Sequence, residues 1–287
     1  MLCTVGDLIE DVVVWQGEPT HHASDTPSRI ERTRGGSAAN VAYFAAASGL
    51  PARFIGQVGA DRLGDQLIES MRAAGVDVVA RRGGRTGSVV VLVQPDGERT
   101  MFPDRGCSPD LTEVNGSVLD GVTALHVPMY SLTNGLLAYT ATRLISEAHM
   151  RNILVSIDAS SVSVLENFGV TESLALIDRL TPSVLLCNDD EARALGLNSL
   201  PNGVGTLVVK RGSRPVQVVD SSGTRDFVVA PVEHVVDTTG AGDAFAAGFL
   251  TALVTTHDLA VAVDAGHALA VRALSSPGAT LGAMGQR

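Results

Sequence analysis

Lysine is nearly missing from this chain. Of its 21 basic residues a single one, Lys210, is lysine, and the rest are arginine. No GxxxxGK[ST] loop occurs, which excludes a Walker A phosphate site. Schiff-base chemistry is disfavoured on the same ground. Cysteine is scarce too: Cys3, Cys107 and Cys187 stand apart, with no CxxC and no Cys/His cluster. That pattern argues against a disulfide framework and a zinc site, and it fits a reducing, cytoplasmic setting. The 7 histidines form no HxxxH or HExxH spacing, so none is given a metal role. The first residues include Asp7 and Glu10 and no basic stretch, so no signal peptide is expected. The most apolar stretch, 241–274, is broken by Asp243, His257, Asp258 and Asp264, and no membrane span is expected. Positive charge is in deficit, with a formal net charge of -10. Non-specific binding to nucleic acid or anionic lipid is therefore not expected. A local Gly-rich site can still hold phosphate inside an acidic protein.

What is present suits a sizeable core: 287 residues, 45% of them hydrophobic. Short β-branched runs alternate with Ala/Leu-rich runs. Strands are expected over 2–5, 11–15, 52–58, 122–127, 153–158, 183–187, 205–210, 216–220 and 233–236. Helices are expected over 38–48, 61–74, 135–150, 189–195, 240–255 and 258–274, with 17–26 as loop. Strands 87–93 and 99–102 flank Pro95-Asp96-Gly97, a hairpin signal. From residue 52 onward the alternation implies an α/β fold with a doubly wound, mostly parallel sheet flanked by helices. The early hairpins do not fit that alternation and point to a small separate β-sheet. In such folds ligands sit at the carboxyl ends of strands.

Four segments carry candidate chemistry. In Asp237-Thr238-Thr239-Gly240-Ala241-Gly242-Asp243, small residues open a long helix. Exposed amides and the helix dipole there make an anion site that needs no lysine. Asp243 beside it can take a proton from an attacking hydroxyl; the plainer alternative is a capping carboxylate. In Gly35-Gly36-Ser37-Ala38-Ala39-Asn40, the glycines permit close ligand approach and Asn40 suits sugar hydroxyls. The alternative is a tightly packed helix start. In the segment from Gly56 to Gly64, Asp61 reads best as a helix cap. In Asn188-Asp189-Asp190-Glu191, Asn188 and Glu191 lie one turn apart. They suit hydrated Mg²⁺ and phosphate, or a capping box. Weaker candidates are Asp11 for sugar hydroxyls, Arg105 for an anionic or hydroxylated substrate, His267 beside a nucleobase, and Lys210 with Gly212 for nucleotide phosphates.

Taken in order, Gly35-Gly36 with Asn40, then Gly56-x-Val58-Gly59-x-Asp61-x-x-Gly64, Asn188-x-x-Glu191 and Asp237–Asp243 resemble the ribokinase (PfkB) family of sugar and nucleoside kinases. The resemblance covers essentially the whole chain, 1–287. It implies a ribokinase-like α/β core with a small β-sheet lid built from about 11–34 and 87–105. It implies ATP-dependent phosphorylation of a hydroxymethyl group, with Asp243 as base and Gly240, Ala241 and Gly242 as anion hole. By position, Asp11, Gly35, Gly36 and Asn40 look like sugar contacts. Asn188 and Glu191 look like the pair that positions Mg²⁺ through water. His267 and Gly278 look like adenine-side positions. Asp237 and Thr239 look like members of a monovalent-cation site, usually for K⁺. A homodimer through the lid is implied as well.

The chain departs from the family at three points. Gly212 is kept, but Pro215 stands where relatives often have a second glycine. Pro128-Met129-Tyr130 stands where ribokinase proper has an acid after the strand at 122–127, and His267 where ribokinase has an asparagine. These changes point away from ribokinase proper more than from kinase activity. A nucleoside substrate needs an apolar or aromatic slot. Aromatics are only 4% of the chain, with Trp15, Tyr43, Phe44, Phe102 and Tyr130 as candidates, which favours a small sugar. A catalytically silent sugar- or nucleotide-binding regulator is the alternative from another class. A dinucleotide oxidoreductase is disfavoured, because no GxGxxG follows the first strand.

Overall fold

Strands buried on both faces read as nearly unbroken apolar runs, and the central strands of this chain do. The computed structural model describes residues 1–95, 98–112, 114–232, 235–276 and 278–281. The first half of the chain forms β1 (Leu2–Val5), β2 (Ile9–Gln16), β3 (Ser28–Gly35), α1 (Ser37–Ala47), β4 (Ala52–Val58), α2 (Arg62–Ala73), β5 (Asp77–Arg82), β6 (Thr86–Val93) and β7 (Arg99–Gly106). Then come β8 (Ala124–Pro128), α3 (Gly135–Met150), β9 (Leu154–Asp158), α4 (Val162–Phe168), α5 (Val170–Leu180), β10 (Val184–Asn188) and α6 (Asp189–Ala194). The last elements are β11 (Thr206–Lys210), β12 (Val216–Asp220), β13 (Gly223–Phe227), α7 (Ala241–Thr256) and α8 (Leu259–Leu274).

Among the described residues, nine strands form one sheet in the order β13-β12-β11-β10-β9-β8-β1-β4-β5. Pairing from β5 through β11 is parallel, and β12 and β13 add an antiparallel edge. One face is packed by residues of α1, α2, α7 and α8, the other by residues of α3 to α6. A second sheet, ordered β3-β2-β6-β7, stands apart with a small cluster of Val13, Val91 and Val93. Its strands fall where the two early hairpins are expected.

Local chemistry explains the joints. Asp61 caps α2 through the Gly64 amide and also accepts from the backbone and hydroxyl of Thr86. This supports the capping role expected of it. The long C-terminal helices touch at glycine: a Cβ on Gly248 would lie 2.4 Å from the Ala265 carbonyl oxygen. Gly36 enters α1 at φ 95°, and a Cβ there would lie 2.3 Å from the carbonyl oxygen of Asp7. Both features bring backbones closer than a side chain allows.

Some elements have no counterpart in the sequence pattern. β13 is GTRDF, an exposed polar edge strand whose pairing comes from its hairpin with β12. β5 adds a short half-exposed edge. α4 and α5 abut at Gly169, which breaks one helical period into two. The strand expected over 233–236 is not seen at Val235 and Val236, whose side chains are more than half exposed. Glu233 and His234 lie outside the described residues, as do Asp96 and Gly97 of the expected hairpin turn.

Candidate active site

The carboxyl ends of parallel strands are where a doubly wound sheet presents groups to a ligand. Here β9 ends on Asp158, β10 on Asn188 and β11 on Lys210. With Ser37, Tyr130, Glu191 and the glycines of α7's first turn they line a cavity of about 380 Å³. Gly212, Gly242 and Asp243 also face it. Gly240 precedes α7 in the left-handed conformation, φ 75°. A Cβ on Gly242 would lie 3.3 Å from Lys210 Nζ, so the ammonium sits close to the helix N-terminus. Amides, dipole and ammonium together give this end of the cavity a positive character.

Asp243 sits in the first turn of α7. Ser37 Oγ donates to its Oδ1 at 2.7 Å and Asn40 Nδ2 to its Oδ2 at 2.9 Å. Burial pushes its pKa up to about 6, against the lowering effect of those two bonds. The carboxylate is thus ionised at neutral pH and still basic enough to accept a proton. Asn40 is itself fixed: Arg34 Nη1 donates to its Oδ1 at 2.6 Å. Arg34 is buried over the Tyr43 ring, 3.9 Å from its centroid, and donates to the carbonyl of Ala279. Arginine, asparagine and aspartate form one relay that sets the amide's orientation.

Asp11 shares this neighbourhood. A Cβ on Gly35 would lie 2.1 Å from Asp11 Oδ1, so glycine leaves room for the carboxylate. Burial pushes Asp11 up to about 6, with Arg34 opposing and Asp243 and Glu10 adding to the rise. On the cavity's other side Lys210 Nζ bonds Asp158 Oδ2 at 2.8 Å. Burial works against the Lys210 charge, but Asp158 and Glu191 outweigh it and hold the ammonium more firmly protonated. Asn188 and Glu191 form a reciprocal capping box at the start of α6. Burial and the Asp158 charge push Glu191 upward.

The structure therefore brings together Asn40, Asn188, Glu191, Lys210, Gly212, Gly240, Gly242 and Asp243, with Asp11, Gly35 and Gly36 next to them. Arg105 is placed differently. It pairs bidentately with Asp7, both distances 2.7 Å, and lines a second cavity of about 450 Å³ that shares Tyr130. Its guanidinium is engaged by a buried carboxylate. His267 on α8 and Gly278 are not among the residues lining the first cavity. Among the described residues His267 Nε2 is buried without a partner, and the Gly278 amide donates to Asp237 Oδ2 at 2.9 Å.

Asp237 and Thr239 fit a monovalent cation poorly. Arg99 Nη2 donates to Asp237 Oδ1 at 2.7 Å, and Arg99 Nη1 to Thr239 Oγ1 at 2.6 Å. The Thr239 amide and hydroxyl also donate to Asp237 Oδ1, each at 2.8 Å. Burial disfavours the Asp237 charge, yet these donors together hold its carboxyl below the usual range.

Sequence reasoning did not assign Asp7, Arg34, Ser37, Arg99 or Asp158 to the site. Asp158 had a usable signal, an acid at the carboxyl end of an expected parallel strand. Ser37 and Arg34 flank the Gly35-Gly36 pair. Arg99 lies in the expected hairpin, but its contact with Asp237 and Thr239 spans 138 and 140 residues, which spacing does not reveal.

Residues 1–284 match the family described as pfkB family carbohydrate kinase. An uncharacterized sugar kinase from Archaeoglobus fulgidus is 28% identical over 82% of this chain and 95% of its own. An ATP-dependent ribose-1-phosphate kinase from Halopiger xanaduensis is 32% identical over 80% of this chain and 76% of its own. The fold is shared with adenosine kinase from Sinorhizobium meliloti, at TM-score 0.85 and 23% identity over 97% of this chain and 94% of that one. It is also shared with an uncharacterized sugar kinase from Pyrococcus horikoshii in complex with ATP, at TM-score 0.82 and 20% identity over 97% and 94%.

Proposed function

The chain belongs to the pfkB family of carbohydrate kinases, and from that premise we propose that it transfers the γ-phosphoryl group of ATP to a primary hydroxyl of a small sugar. It is a phosphotransferase with an alcohol acceptor, of the carbohydrate or nucleoside class. The observation that carries the finer reading is Asp243, held by Ser37 and Asn40 at the mouth of the α7 amide turn. Asp243 orients the acceptor hydroxyl and takes its proton. The amides of residues 240–242, with Lys210 beside them, stabilise the charge that spreads over the transferring group. Asp11, Gly35, Gly36 and Asn40 make the sugar side of the site, and Asn188, Lys210 and Gly212 the nucleotide side.

The donors present suit Mg²⁺ held through water. Glu191 accepts one hydrogen bond on each carboxylate oxygen, from the amide and the side chain of Asn188. Two bonds leave a carboxylate with free lone pairs. Among the described residues no group of three or more His, Cys, Asp or Glu is arranged to hold a metal directly, and Mg²⁺ characteristically keeps its waters and binds substrate phosphates. When bound, Mg²⁺ neutralises phosphate charge. Glu191, Asn188 and Asp158 would orient its waters.

The small sheet acts in this reading as a lid that excludes water from the reaction. Ile30, Val90 and Phe102 are exposed on the face opposite its buried valines. That apolar face supports pairing of two copies through the lid, and a monomeric mass by light scattering would remove the dimer. Among the described residues no helix is long and apolar enough to cross a membrane. Three buried free cysteines support a cytoplasmic site of action.

The test is ADP release with ATP and Mg²⁺ across pentoses, ketohexoses, sugar acids, sugar phosphates and nucleosides. Asp243→Asn is expected to lose roughly 10²–10⁴ in kcat while binding ATP normally. Near-normal turnover in that variant refutes the base assignment. A nucleoside acceptor is the second reading, favoured by the cavity beyond Tyr130, which Phe168 and Pro103 also line. Turnover with nucleosides alone would establish it.

A further inference from the structure

We infer that the guanidinium of Arg99 takes the place of a monovalent cation beside the anion hole, so that this enzyme works without K⁺. The inference rests on the phosphoryl transfer proposed above and concerns what holds its anion-binding turn. Asp237 and Thr239 immediately precede Gly240, so their geometry sets the direction of the amides that follow. A cation seated between their side-chain oxygens would hold that turn. Here the same oxygens are taken by a side chain from another sheet.

The donor count leaves little for an ion. Asp237 Oδ1 receives Arg99 Nη2, the Thr239 amide and the Thr239 hydroxyl, and Oδ2 receives the Gly278 amide. Thr239 Oγ1 gives its proton to Asp237 and accepts from Arg99 Nη1. Asp237 is 3% exposed, so water cannot easily substitute for a lost donor. K⁺ needs oxygen lone pairs, and each side-chain oxygen of Asp237 and Thr239 already meets a donor, two of those contacts coming from Arg99. It would also sit a few ångströms from a permanent positive charge. Arg99 supplies that charge from within the chain. Its planar fork bridges two acceptors in a fixed geometry, as a spherical ion does not.

Arg99 opens β7 of the small sheet, whereas Asp237 and Thr239 belong to the core. The charge therefore reaches the anion-hole turn only when the small sheet is in place. A diffusible ion has no such dependence. Arg99 is a positioning residue: it acts on the transferring group through the turn and not by contact.

Wild-type protein and Arg99→Ala are compared in K⁺ and in tetramethylammonium at matched ionic strength. Two readouts are used, ADP release and saturable Tl⁺ binding followed by ²⁰⁵Tl NMR with K⁺ as competitor. For the wild type, turnover is expected to change by less than the roughly fivefold that marks a coupled site, with no saturable Tl⁺ binding. Arg99→Ala is expected to lose about tenfold or more in kcat without K⁺, to recover with K⁺, and to bind Tl⁺. Arg99→Lys keeps a cation there and is expected to stay independent of K⁺. Saturable Tl⁺ binding by the wild type, displaced by K⁺, overturns the inference, and so does turnover that needs K⁺. An Arg99→Ala protein that is folded but neither binds Tl⁺ nor responds to K⁺ overturns it too. If that variant does not fold, Tl⁺ binding by the wild type decides alone. Absence of turnover with every acceptor refutes the kinase reading, and the Tl⁺ result still decides this one.

Discussion

Asp243 is a carboxylate that folding makes harder to ionise. Its pKa moves from 3.8 to about 6, chiefly because it is buried. The folded chain then holds this proton more tightly than the unfolded chain. The group's favourable contribution is fully present below about pH 4 and is lost as pH rises through about 6. Above that, ionised Asp243 costs stability, at most on the order of 3 kcal/mol from the size of the shift. In the proposed reaction activity runs the other way, because only the ionised form accepts a proton. We expect kcat/KM to fall below about pH 6. We also expect Asp243→Asn to melt higher than wild type at pH 8, with the advantage shrinking toward pH 4. Melting curves at the two pH values check this. An advantage larger at the acid end would show that burial is not the cause of the shift.

At the scale of elements, the site depends on strands that do not touch. Lys210 ends β11 and Asp158 ends β9, with β10 lying between them. Their ion pair spans the middle strand, where both side chains are largely buried. Lys210→Met would leave Asp158 and Glu191 facing each other without a cation. A broken buried pair typically costs about 3–5 kcal/mol, so a clear drop in the urea midpoint is expected. ATP affinity should fall with it. A variant as stable as wild type would mean that water already solvates Asp158.

Elements with strong internal signals were legible in the sequence. The helix expected over 135–150 is α3, and the strand expected over 216–220 is β12. The edge strands β5 and β13 were not legible, because their pairing comes from neighbours and not from alternation. Glu191 shows a subtler limit. From the sequence, capping box and ligand-facing carboxylate are alternatives. The structure gives the cap, with the same side chain also facing the cavity.

For the whole molecule, the order of motifs carried the family and the glycine-rich turns carried the site. What the sequence withheld is how the two sheets are joined. Three arginines of the small sheet grip the core: Arg34 on the Ala279 carbonyl, Arg99 on Asp237 and Thr239, and Arg105 on Asp7. Nothing in their spacing marks them, because each partner is distant in the chain. We expect the small sheet to open as a unit, limited by these grips. In hydrogen exchange, β2, β3, β6 and β7 should gain protection together when ATP and acceptor are added, while β9 and β10 stay protected throughout. Independent behaviour of the four strands would contradict a rigid lid.

The near-absence of lysine has one further consequence. The side-chain amine of this chain exists at one address, inside the cavity and bonded to Asp158. An amine-directed acylating reagent has no surface lysine to decorate. Its side-chain labelling would report one event only, the release of Lys210 from its carboxylate partner. The protein thus carries its own single-site occupancy gauge, readable by mass, with no engineered residue and no background from the rest of the molecule's side chains.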